Sequence, residues 1–139
     1  MSGTNIHDDF HAWAFEQARR LRAGEPVDAD HIAEELETLG KSQEQQFVNH
    51  LAVLIQHLLK SEYQPEKATG GWQATIREQR RRIARLLAHN PSLKPKIPDA
   101  IAEAYEIAII FASVGTGIIE DDFPITCQYS EEQILGGPN

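Results

Sequence analysis

The stretch Gln46–Tyr63, QFVNHLAVLIQHLLKSEY, most constrains what this chain can fold into. Phe47, Val48, Leu51, Ala52, Val53, Leu54, Ile55, Leu58 and Leu59 make it the most apolar long segment of the sequence. Its apolar runs recur at helical rather than strand spacing. An apolar arc this wide is expected to be contacted from more than one side. The spacing therefore predicts the central helix of a small all-α domain.

Further helical segments flank it. Asp8 or Asp9 is placed to cap a first helix reaching about Arg22, with Phe10, Trp13, Ala14, Ala18 and Leu21 facing inward and Gly24 stopping it. Asp28 or Asp30 opens a second helix, with Ile32, Leu36 and Leu39 inward and Gly40 as its terminator. Ser42 reads as the cap of the central helix, with Gln45 at the capping-box position. Pro65, Gly70 and Gly71 separate that helix from a basic one starting at Trp72, whose inner stripe is Trp72, Ile76, Ile83, Leu86 and Leu87. The proline-rich PSLKPKIPD has room for one helical turn. Pro98 then opens a last long helix that ends at Gly115 and Gly117. Ser130 followed by Gln133 marks a short terminal helix, and Phe123, Ile125 and Ile134 are expected to fasten the tail. The expected fold is all-α, a compact helical bundle of about five main helices with a short C-terminal helix. It is read as one domain over residues 1–139, with residues 1–7 and 136–139 flexible.

Charge divides the chain sharply. Residues 1–66 hold 12 Asp/Glu against 5 Lys/Arg, residues 67–97 hold 8 Lys/Arg and only Glu78, and residues 98–139 hold 8 Asp/Glu and no Lys or Arg. The total of −8 argues against a general nucleic-acid or anionic-membrane binder. The basic middle reads first as a face complemented by the acidic helices of its own fold. One cysteine, Cys127, has no intramolecular disulfide partner, which fits a reducing compartment. MSGTNIHDDF has no basic region followed by an apolar run, so no secretory signal is expected. The longest apolar stretches are interrupted by His57 or Glu106 and are too short for a spanning helix. The expected location is cytoplasmic.

Three polar residues sit awkwardly. Glu35 shares a stripe with Ile32 and Leu39, whereas its neighbour Glu34 points elsewhere. His57 interrupts the apolar arc, and Arg80 lies between Ile76 and Ile83 on an inner stripe. Buried charges need partners, so Glu35, His57 and Arg80 are expected either to form a structural ion-pair network or to line a cleft where a carboxylate activates water. No Glu-x-x-His, HExxH or cysteine pair is present, so the metal is unknown and no cofactor motif is visible. His7 and His11 have the spacing of an exposed metal clip if both are helical.

Ordered segments carry a family resemblance: DDFHAWAFEQARRLRAG at 8–24, AEELETLGKS at 33–42, LAVLIQHLLKSEYQPE at 51–66, WQATIREQRRRIARLL at 72–87, NPSLKPKI at 90–97 and FPITCQYSEEQIL at 123–135. Together they resemble the bacterial family of domain of unknown function DUF29. The resemblance implies a compact helical protein and brings no established reaction. Family-like positions include Glu34, Glu35, His57, Lys60, Trp72, Thr75, Arg80 and Cys127, and Ser61-Glu62-Tyr63 departs from an aromatic-rich family variant. The leading expectation is an interaction or regulatory module with a protein partner or a second copy. One alternative is a metal-assisted hydrolase using Glu35, His57 and Arg80. Another is binding of RNA or a phosphorylated ligand through residues 67–97.

Overall fold

A computed structural model of the chain describes residues 5–136. Residues 1–4 and 137–139, most of the ends expected to be flexible, lie outside the described residues. Among the described residues there are five α-helices and no strand. They are α1 (Phe10–Ala23), α2 (Ala29–Tyr63), α3 (Gly70–His89), α4 (Ile97–Thr116) and the short α5 (Glu131–Leu135). Three 3-10 turns, Pro65–Lys67, Pro91–Lys96 and Glu120–Asp122, lie between them. The all-α class and the short C-terminal helix are as expected.

One boundary differs. The helices expected to meet at Gly40 are a single helix, α2. Glycine ends a helix when it turns left-handed and lets the last carbonyls be capped. Positive φ occurs only at Gly24, Gly117 and Gly136 among the described residues, so Gly40 stays helical. Apart from Ser42, the residues of 41–46 are good helix formers, and propagation past one glycine costs only about 1 kcal/mol. α3 also begins earlier than Trp72, because Thr69 accepts a hydrogen bond from the Trp72 amide and brings Gly70 and Gly71 into the first turn.

The chain divides into two compact units, Met1–Ser42 and Gln43–Asn139. In the first, Asp9 caps α1 and Gly24, at φ 72°, closes it. Asp28 ties α1 to the start of α2. Its carboxylate accepts from the Trp13 indole at 3.1 Å and pairs with His31 at 2.8 Å, and its amide donates to Gln17 at 2.7 Å. Burial opposes ionisation of Asp28, but the bonds from His31 and Trp13 outweigh it and hold the carboxyl below its usual range. Trp13 is buried, whereas Phe10, Leu21, Leu36 and Leu39, all expected to face inward, are exposed. A unit this small has too few elements to cover both sides of its helices.

In the second unit the 43–63 part of α2 is the core element. Phe47, Leu51, Leu54, Ile55 and Leu59 are each at most 2% exposed. Ile76 and Ile83 of α3, Leu93 of the proline-rich turn and Ile134 of α5 complete the core with α4. α4 contributes Ala100, Ala104, Ala108 and Ala112, a buried ridge of small residues at i+4 spacing that permits close helix approach. α5 opens with the expected capping box, formed reciprocally by Ser130 and Gln133. Of the three expected tail fasteners, Phe123 and Ile134 are buried and Ile125 is 96% exposed.

Candidate functional site

Of the three polar residues singled out in the sequence, His57 and Arg80 have different partners. Glu35 lies in the first unit, half-sheltered, beside an exposed Glu34. His57 and Arg80 lie in the second. His57 Nδ1 stands 2.8 Å from the Val53 carbonyl of its own helix. A carbonyl only accepts, so Nδ1 carries the proton and Nε2 is the basic nitrogen. Arg80 reaches α5: Nε donates to the Ile134 carbonyl at 3.0 Å and Nη2 to the Gln133 carbonyl at 2.8 Å. These are carbonyls at the end of a helix, which lack intrahelical donors and favour a cation.

Lys60, Trp72 and Thr75 also have identifiable contacts. Lys60 Nζ sits 4.7 Å from the centre of the Trp72 ring, a cation–π contact from α2 to α3. A Cβ on Gly115 would stand 3.3 Å from Lys60 Cε, so the lysine stem crosses α4 where it has no side chain. Thr75 Oγ1 donates to the Gly71 carbonyl one turn back. The hydroxyl of Ser61, one turn beyond His57, is buried without a hydrogen-bond partner.

Tertiary pairs invisible in the sequence fasten the segment after α4. The Tyr129 hydroxyl donates to the Glu62 carboxylate, and the Tyr105 hydroxyl to the Pro124 carbonyl at 2.6 Å. Burial, aided by Glu62, raises the Tyr129 phenol well above its usual range. Burial pushes Tyr105 up to about 12. Burial likewise pushes the Cys127 thiol up, which disfavours the nucleophilic thiolate.

The same segment leaves an apolar surface uncovered. Ile110, Phe111 and Val114 of α4 are exposed, Val114 to 80%. Ile110 lines a groove of about 550 Å³ together with Ile109, Phe123, Pro124 and Ile125, and its rim carries Glu106, Glu120 and Asp121. Single exposed apolar residues are ordinary, whereas a clustered set rimmed by charge marks a contact surface. In the sequence, Ile110 and Phe111 widen the apolar arc of α4, a pattern that suggests burial around much of the helix. The usable signal was that the unit has too few helices to surround a helix apolar on every side.

The family model for domain of unknown function DUF29 matches residues 7–137, nearly the whole chain. The chain belongs to the DUF29 family. No curated protein and no solved structure gives a significant match. The DUF29 assignment therefore brings a fold-wide kinship and leaves the chemistry to the residues. Among the described residues, no group of three or more His, Cys, Asp and Glu side chains is placed to hold a metal ion. None of the helices among those residues is long and apolar enough to cross a membrane. Among the described residues of this DUF29 chain the geometry gives the metal-assisted hydrolase no ligand set, and it engages Arg80 with α5.

Proposed function

We propose that this DUF29 chain is a protein-interaction module that docks a basic amphipathic helix on the surface of α4. The carrying observation is the apolar groove at Ile110 and Ile125 with its rim of Glu106, Glu120 and Asp121. Apolar floor and acidic rim together select a partner with an apolar ridge flanked by lysine or arginine. The residues after Ile97 hold no lysine or arginine, so nothing in that segment neutralises the rim. Cytoplasmic location fits the lone Cys127, which has no intramolecular disulfide partner.

The test uses two fluorescent helical peptides, both with leucine at core spacing, one carrying lysine on its flanks and the other glutamate. The lysine peptide binds the full chain at least about tenfold more tightly at low salt, and the preference shrinks as salt is added. Ile110→Ser and Ile125→Ser, both at exposed positions lining the groove, weaken binding without lowering the melting temperature. Equal binding of the two peptides, or unchanged affinity in both variants, overturns the reading. So does a concentration-dependent dimer that Ile125→Ser abolishes, since the occupant is then a second copy.

A further inference from the structure

A second concave surface lies where the 43–63 part of α2 meets α3. It is a groove of about 370 Å³ lined by Gln46 and His50 from α2 and by Arg81, Arg82, Arg85 and His89 from α3. The one other lining residue, Leu86, is apolar, and the carboxylate bonded to the lining arginines is that of Glu78. We propose that this groove binds a small phosphorylated ligand through its terminal phosphate or pyrophosphate group.

Two of the three guanidiniums, those of Arg81 and Arg82, are held in place before any ligand arrives. Glu78 holds Arg81 through Nε at 3.1 Å and Nη2 at 2.7 Å, and Arg82 through Nε at 2.9 Å. A guanidinium has five N–H donors, so both arginines keep most of theirs for another acceptor. Hydrogen bonds from Arg81 and Arg82 hold the Glu78 carboxyl down to about 2, so the brace stays charged at neutral pH. Against three arginines it leaves an excess of two positive charges. Across the groove, His50 Nδ1 pairs with Gln79 Oε1 at 2.8 Å. That acceptor places the proton on Nδ1 and orients the ring, leaving Nε2 to meet a phosphate hydroxyl.

The size and make-up of the groove favour a small ligand over RNA. Arg81 and Arg85 are one helical turn apart, about 6 Å, which is the scale of one or two phosphates rather than of a backbone track. Single-strand binding sites add aromatic faces for the bases. This groove is lined by no Phe, Tyr or Trp, its rings being the smaller imidazoles of His50 and His89, and Trp72 is engaged with Lys60. The chain's total of −8 further opposes a long polyanion, whose many phosphates lie outside the reach of a local patch.

The probe is sodium pyrophosphate, titrated into the full ¹⁵N-labelled chain at low salt. Saturable one-to-one binding is expected, with amide shifts confined to residues 46–50 and 78–89. Arg81→Gln and Arg85→Gln each weaken it about tenfold, the loss of a charge-assisted contact. Arg77→Gln removes the same charge from the same helix outside the groove and changes affinity less than about twofold. Melting curves confirm that all three variants fold. Equal weakening by Arg77→Gln would show diffuse charge attraction and overturn the proposal. No saturation below about 10 mM pyrophosphate overturns it too, given that one good charged contact set yields millimolar affinity or better. Tighter binding of a single-stranded oligouridine through the same residues replaces the small ligand with RNA.

Discussion

Replacing Arg80 tests whether its principal work is to hold α5. Arg80→Met keeps most of the aliphatic stem and removes both hydrogen bonds to α5. The bond to Ile134 is part-buried and the bond to Gln133 is exposed. A part-buried charged bond contributes about 1.5 kcal/mol and an exposed one about 0.5, giving a loss of ~2 kcal/mol. For a chain of this size that lowers the melting temperature by about 6 °C. α5 has only five residues and cannot persist as an isolated helix, so the loss should appear first as local opening. Amide exchange reads this directly at Gly136, whose N–H bonds the Glu132 carbonyl at 2.8 Å. Its protection should fall by about 30-fold, the equivalent of ~2 kcal/mol. Arg80→Lys should recover only part, because an ammonium cannot reproduce two fixed prongs. Unchanged protection at Gly136, with a stability loss under about 0.5 kcal/mol in urea unfolding, would refute the latch.

Gly40→Ala should stabilise the first unit by up to ~1 kcal/mol, since Gly40 is helical and an added Cβ meets nothing within 4 Å. Increased helicity by circular dichroism, with slower amide exchange near residue 40, checks it. Ser61→Ala should be neutral or stabilising by up to ~1 kcal/mol, because the buried hydroxyl has no partner to lose; urea unfolding measures it. Stability should fall at high pH. Both tyrosine phenols are raised in the folded state, so their contribution is complete below the ordinary phenol value near 10 and is lost as pH rises through about 12, the value at Tyr105. Urea midpoints between pH 9 and 12 should show that slope, reduced in Tyr105→Phe.

Much of the fold was legible because its signals are local. Asp9, Gly24, Gly117 and the Ser130–Gln133 box act within one helical turn of themselves, and each ends or begins a helix where expected. The break expected at Gly40 failed because glycine is compatible with either outcome and nothing local forces the left-handed turn. The candidate site was less legible. Stripe position drew attention to Arg80 but did not reveal that α5 carbonyls, more than fifty residues away, would take its donors. The Glu62–Tyr129 pair bridges a separation of 67 residues and leaves no trace in spacing. Ile125 read as a fastener because it is apolar, yet it is Phe123, two residues earlier, that enters the core.

By itself, then, the sequence determined the all-α class, the central place of Gln46–Tyr63 and most helix ends, because periodicity and capping are short-range properties of the chain. Only the tertiary structure decided which apolar residues stay in solvent and which charges face one another. Those are properties of what lies opposite, and a helix does not carry its neighbour's surface in its own sequence. The acid-rimmed groove beside α4 and the arginine-lined groove between α2 and α3 exist for that reason.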